Sequence, residues 1–387
     1  MTSVREAAGG LLVVGLGGTE MTGLERAWVK LVRPAGIILF KRNITDAAQT
    51  RALLDEATAL CGPHSLRCVD VEGGTVDRLR DALAPMPSAQ AVARATSIDA
   101  HGQGSSFPWS QDRDQGHPIG LAGEHGDLIA RAVKAFGFNT TLAPVLDLAL
   151  PESAAVMGTR AAAATAEGVV RYARGFLAGL AAQGVVGCGK HFPGLGGGTL
   201  DSHLATPAIG RGSRELWNED LAPYRALKDE LPMAMVSHAS YPNARGKHLP
   251  ASVSAYWITA VLRKRIGYRG LVFSDDLEMG GILKFMPIEE AAIAAVRAGM
   301  DLMEICHSPE LILRAYEALL REAERSGAFR TLLLGRSRQT LLKRAKLFGR
   351  EAAKALSARQ MEQLRTKILR FGEAVAKAQT AAEARLQ

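Results

Sequence analysis

Short apolar runs recur along the chain at nearly regular intervals, and each is followed by a longer stretch with helical character. The runs are Leu11–Gly17, Gly36–Phe40, Arg67–Val71, Thr140–Leu146, Val185–Gly189, Ala234–His238, Gly270–Ser274 and Met300–Cys306. Helix-like segments lie at 22–33, 46–60, 121–136, 163–182, 213–228, 254–267, 288–298 and 308–325. Strands that are apolar throughout, rather than alternating, are buried on both faces, which is the mark of a parallel sheet covered by helices. Eight strand–helix units in series predict an α/β fold, a (β/α)8 TIM-type barrel over residues 1–325. The rival, an open doubly wound sheet, needs a Gly-x-Gly-x-x-Gly turn after its first strand. Val14-Gly15-Leu16-Gly17-Gly18-Thr19 imitates that turn only loosely.

Two segments fall outside the repeat. Residues 97–120 are rich in Gly, Ser, Asp and Pro and read as a long loop between helices. From about residue 331, apolar positions recur at Leu341, Ala345, Phe348, Ala352 and Leu356, the stripe of an amphipathic helix. Residues 326–387 are therefore expected to form a helical C-terminal extension. Its stripe should pack on the barrel or on a second subunit, with the Lys/Arg face in solvent.

Composition narrows the class. With 47% apolar and 22% charged residues over 387 positions, the chain can bury a large core and is not intrinsically disordered. Its longest apolar-plus-glycine run, Ala7–Gly18, is shorter than the ~18–20 residues needed to span a bilayer, so no membrane span is expected. That run ends in Gly-Gly-Thr-Glu rather than at a small-residue cleavage site, so it reads as a first strand and not as a signal peptide. Cys61, Cys68, Cys188 and Cys306 lack zinc spacing and read as reduced thiols of a cytoplasmic enzyme. The net charge of +8 is local: residues 311–387 hold 17 basic and 7 acidic side chains, leaving the remainder at −2. Nucleic acid is accordingly not an expected partner.

Polar groups collect at the C-terminal ends of five strands, where a barrel builds its active site. They are Asp70-Val71-Glu72-Gly73-Gly74, Asp147, the run from Lys190-His191 to Asp201-Ser202-His203, Ser237-His238, and Ser274-Asp275-Asp276. One carboxylate at a strand end is commonly a cap or an ion-pair partner; five such ends together indicate a site. Glycines 194–198 suggest a mobile loop, since no Gly-Lys-Ser/Thr follows to make a phosphate cradle. His191 and His203 lie twelve residues apart without a carboxylate at zincin spacing, so no metal site is expected. Asp276 reads as a helix cap or a group turned away from the pocket.

The run Lys190-His191-Phe192-Pro193-Gly194, followed by Asp201-Ser202-His203, resembles the signature of glycoside hydrolase family 3 β-N-acetylglucosaminidases. The resemblance extends over about residues 10–310. It includes Gly36-Ile37-Ile38-Leu39-Phe40-Lys41-Arg42-Asn43, Asp70-x-Glu72-Gly73-Gly74-x-Val76-x-Arg78-Leu79, Ala143-Pro144-Val145-Leu146-Asp147, Met157-Gly158-Thr159-Arg160 and Phe273-Ser274-Asp275-Asp276-Leu277-x-Met279. The Asp-Ser-His element separates this branch from the family's two-domain β-glucosidases. Two positions depart from the pattern: Leu195 stands where the family has His, and Thr75 where it has Arg.

The resemblance implies retaining hydrolysis of terminal β-linked N-acetylglucosamine, with peptidoglycan-derived muropeptides as substrates. Asp275 would be the nucleophile, and His203, oriented by Asp201, the acid/base. Asp70, Arg78, Arg160, Lys190 and His191 would bind the sugar hydroxyls. No metal or organic cofactor is implied, and the oligomeric state is left open. Alternatives are a phosphorylase or β-glucosidase of the same family, and a sugar-binding or scaffold protein on an inactive barrel.

Overall fold

Parallel pairing runs unbroken around a closed ring in the computed structural model, which describes residues 3–99, 120–198, 206–246, 249–349 and 354–386. In chain order the ring comprises β1 (Leu12–Gly15), β2 (Gly36–Leu39), β3 (Leu66–Val69), β6 (Thr140–Thr141), β7 (Val186–Phe192), β8 (Met233–Val236), β9 (Leu271–Asp276) and β10 (Leu302–Ile305). The last strand closes on the first with Leu12 opposite Met303. A small antiparallel hairpin, β4 (Val71–Gly73) with β5 (Val76–Asp77), rises directly after β3. The eight-stranded barrel is the expected fold.

Strand lengths differ from expectation in ways that shape the site. The run Thr140–Leu146 forms regular strand over Thr140–Thr141 and meets β7 again at a single bridge between Val145 and Lys190; Pro144, which has no N–H, lies between the two. The chain stays attached through the Leu146 N–H, which donates to the Lys190 carbonyl at 2.6 Å. Conversely, β7 extends to Phe192 and β9 to Asp276, so Lys190, His191 and Asp275 stand on strands rather than on loops.

Alternate residues point into the barrel. Cys68, Cys188, Met233, Met235, Leu271, Phe273 and Leu302 fill the interior, while their neighbours pack outward against the helices. Hydroxyl and carboxylate caps start several of those helices. At Gly23–Val32, the Thr22 hydroxyl accepts the Glu25 N–H while the Glu25 carboxylate accepts the Thr22 N–H. Before β6 lie two helices, Ala89–Asp99 and Leu121–Ala135; the first was not anticipated, and the expected long loop falls mostly at 100–119, outside the described residues. The second packs closely on Ala166–Ala182, where a Cβ at Gly179 would meet the Gly123 carbonyl at 2.1 Å.

The C-terminal extension differs from its expected stripe. Helix Gly327–Phe348 crosses the N-terminal mouth of the barrel and buries Phe329, Leu333, Ser337, Thr340 and Arg344. Leu347 and Phe348, at its end, pack against the interior set. Ala352 lies outside the described residues and Leu356 is 37% exposed. Nor is the basic face wholly solvated. Arg344, only 2% exposed, donates to the carbonyls of Pro63 (2.6 Å), His64 (3.1 Å) and Gly10 (3.4 Å). Strand and helix ends leave carbonyls unpaired at this mouth, and a guanidinium has the donors to satisfy several at once. Burial lowers its pKa to about 10. Beside it Asp301, fully buried, accepts from Arg263 (2.5 Å), Lys343 (2.8 Å) and the Val272 N–H (2.9 Å). The final helix, Ala358–Leu386, lies on Ala89–Asp99 and Leu121–Ala135 and buries Leu364, Ile368, Phe371 and Val375 at i, i+4, i+7, i+11 spacing. No described helix is long and apolar enough to cross a membrane.

Candidate active site

The C-terminal mouth gathers the expected residues from strands far apart in sequence. Lys190, on β7 and 3% exposed, places its ammonium 2.8 Å from Asp70 and 2.6 Å from Glu72. Glu72, equally buried, is also gripped by Arg160 through two parallel bonds of 2.8 Å. Such a fork fixes both distance and plane. Arg78 approaches Asp70 at 3.9 Å. Burial on its own would raise the Glu72 pKa, but Lys190 and Arg160 outweigh it and bring it to about 2. Burial likewise opposes the charge on Lys190, and Asp70 and Glu72 outweigh that too, so its pKa is raised and it stays an ammonium.

His191 is fixed by Asp147, which follows β6. One oxygen of Asp147 accepts the His191 ring Nδ1–H at 2.6 Å and its backbone N–H at 3.1 Å; the other accepts the Leu195 N–H at 2.7 Å. Leu195, where the family has a histidine, thus anchors the loop through its backbone and buries its side chain. Thr75 lies exposed at the hairpin tip.

Asp275 stands near the end of β9. Burial would raise its pKa, but the imidazoles of His191 and His238, the Asp276 N–H at 3.0 Å and Lys190 together hold it below the ordinary carboxylate value. Asp70, Glu72 and Asp147 each have an ion-pair partner; Asp275 has none among the described residues. Its neighbour Asp276 turns away, as expected, and accepts the Glu278 N–H at 3.0 Å. Burial, reinforced by Glu278 and Asp275, raises the Asp276 pKa to about 7. Adjacent carboxyls are therefore held in different protonation ranges.

Two strand-end residues named from the sequence but left without a role there, Glu72 and His238, prove central to the site. Glu72, though inside a quoted motif, turns out to be the junction of the charge network. His238 is buried between the Ser252 hydroxyl (2.7 Å from Nδ1) and the Asp276 carbonyl, which accepts from Nε2 at 2.9 Å. It fixes the peptide next to Asp275, and its place at the end of β8 was the available signal. Asp201 and His203 lie outside the described residues. The flanks of their segment are anchored, by Leu195 on Asp147 and by the Thr206 hydroxyl donating to the Gly281 carbonyl at 2.6 Å. Asp276, Glu278 and His307 bring possible metal-ligand atoms within 4.8 Å of one another, but Glu278 and Asp276 already accept backbone N–H groups there.

A barrel whose C-terminal mouth sets an ionised carboxylate, without an ion-pair partner among the described residues, amid charged multi-donor side chains has the groups that cleavage of a glycosidic bond uses. The chain belongs to glycosyl hydrolase family 3: residues 3–328 match the family's N-terminal domain. It is 39% identical over 304 residues to a β-hexosaminidase of Alkalilimnicola ehrlichii, covering 78% of this chain and 82% of that one. The structure of a family 3 β-N-acetylglucosaminidase from a Paenibacillus species superposes with a TM-score of 0.81 at 29% identity, covering 96% of this chain and 69% of the other. NagZ from Neisseria gonorrhoeae, solved with N-trifluoroacetyl-D-glucosamine, superposes at 0.72 with 29% identity, covering 96% and 98%.

Proposed function

We propose that the chain is a retaining exo-β-N-acetylglucosaminidase that removes terminal β-linked N-acetylglucosamine from peptidoglycan-derived muropeptides in the cytoplasm. The observation that carries the reading is Asp275, which is ionised, half-buried and free of an ion-pair partner among the described residues, while Asp70, Glu72 and Asp147 around it are each paired. A carboxylate in that state can approach the anomeric carbon without first breaking a salt bridge. It attacks C1 as the glycosidic bond breaks, giving a glycosyl ester. His203, oriented by Asp201, donates a proton to the leaving oxygen and then takes one from the water that opens the ester. Asp70, Arg78, Arg160, Lys190 and His191 hold the sugar hydroxyls meanwhile. In this reading residues 1–325 are the catalytic barrel and 326–387 a helical extension of it.

The test is hydrolysis of nitrophenyl glycosides in phosphate-free buffer. The N-acetyl-β-glucosaminide is expected to be cleaved far faster than the β-glucoside. Asp275→Asn should lose ~10⁴-fold or more in kcat, as removal of a catalytic nucleophile does elsewhere. An equal or better kcat/KM on the plain glucoside, or dependence of the rate on added phosphate, would overturn the reading.

A further inference from the structure

The final helix lies beyond the residues that match the family domain, yet its buried face reaches toward the charge network. Phe371, 1% exposed, stacks on the imidazole of His125, with ring centroids 5.9 Å apart and planes inclined at 26°. His125 is itself boxed in. Phe176 meets it edge-on at 5.5 Å, and the Tyr172 hydroxyl lies 3.0 Å from its Nδ1. Burial lowers its pKa to about 3, so the ring is neutral and acts as a packing element. Its remaining edge faces the hairpin, where a Cβ on Gly73 would come 3.0 Å from Nε2. Gly73 has φ +87° and follows Glu72, the carboxylate that Arg160 and Lys190 share.

We propose that Phe371 is a positioning residue for the sugar site: through His125 it holds the Glu72–Gly73 turn where Glu72 can clamp Arg160 and Lys190. Gly73 has no side chain with which to anchor this turn, and a glycine in the left-handed region loses much freedom on ordering. The turn is held on one side by the Gly74 N–H on the Met86 carbonyl (3.0 Å) and by Arg80 on the Gly74 carbonyl (2.6 Å), and on the other by the His125 ring against Gly73. The stacked pair of His125 and Phe371 joins the final helix to that point. A bidentate clamp tolerates displacements of only about 0.5 Å before its function suffers. The inference rests on the reading of this mouth as an N-acetylglucosamine site.

Calorimetric Kd for N-acetylglucosamine, together with KM and kcat on the nitrophenyl substrate, tests it on full-length protein at a temperature where circular dichroism shows every variant folded. Phe371→Ala should raise Kd and KM about tenfold with a smaller change in kcat, within the range of remote couplings measured elsewhere. Phe371→Leu keeps most of the volume and should weaken binding about threefold at most. Val375→Ala trims a buried side chain on the same face, one that makes no ring contact with His125; it should lower Tm and leave Kd within about twofold. Wild-type affinity in Phe371→Ala, or an equal loss in Val375→Ala, overturns the proposal. If Phe371→Ala does not fold, Phe371→Leu must still bind more weakly than Val375→Ala, and equality of the two overturns it. Absence of sugar binding by the wild type would instead defeat the functional reading, and the positioning role with it.

Discussion

Replacing Glu72 by Gln removes one negative charge from a network in which it holds Lys190 at 2.6 Å and Arg160 through two bonds of 2.8 Å. Breaking a buried ion pair by deleting one partner costs roughly 3–5 kcal/mol, because the other charge stays buried. Lys190 keeps Asp70 at 2.8 Å, so the lower end of that range applies. Linkage gives a second route to the same figure. The Glu72 pKa falls from 4.5 to about 2 on folding. At about 1.4 kcal/mol per unit this contributes about 3 kcal/mol at neutral pH. A carboxyl with a depressed folded pKa stabilises the fold above its unfolded value and loses that contribution as pH falls through the folded one. Urea unfolding of wild type and Glu72→Gln should therefore show a gap of about 3 kcal/mol at pH 7 that is flat down to about pH 4.5. Below that, the gap should shrink by about 1.4 kcal/mol per pH unit toward pH 2. A gap below 1 kcal/mol at pH 7, or one that does not change between pH 4.5 and pH 3, would refute this account of the network.

His203→Ala should lower turnover of a natural disaccharide ~10²–10⁴-fold but cost much less with a nitrophenyl leaving group, which departs unprotonated. Azide, needing no base, should partly restore that variant and leave Asp275→Asn inactive; intact disaccharide hydrolysis would remove His203 from the mechanism. At the opposite mouth, Asp301→Asn leaves Arg263, Lys343 and Arg336 facing one another without their shared carboxylate. It should lower unfolding free energy by roughly 3–5 kcal/mol in urea titrations. The folded fraction should keep its wild-type kcat, since the active site of a barrel lies at the other end.

All eight strands were legible because double-sided burial writes itself as continuous apolar runs such as Leu12–Val14 and Leu271–Phe273. Their ends were less so. Thr140–Leu146 read as one strand, but regular pairing covers Thr140–Thr141 and returns only as a bridge at Val145 beyond Pro144, and backbone hydrogen bonding is not written in hydrophobicity. At the site, motifs disclosed which residues converge but not how the charges divide among them. Glu72 became the junction only because Arg160 and Lys190, 88 and 118 positions further on, fold onto it. Arg344 was the least readable. It belongs to a basic stretch whose ordinary place is solvent, and the carbonyls that draw it inward come from residues 10, 63 and 64.

That arginine bears on the order in which the chain is assembled as it is synthesised. The backbone carbonyls of Gly10, Pro63 and His64 are made first, and the donor that satisfies them follows 334, 281 and 280 residues later. The first strand likewise waits for its partner around residue 303. Until then the nascent barrel carries an open seam and an unstoppered floor, since Leu347 and Phe348 are also still to come. Such late, long-range closure is slow and leaves apolar surface exposed in the interim. Growth of the chain is thus vectorial, while its first strands stay unsealed until residues some three hundred positions behind them arrive to bolt them shut.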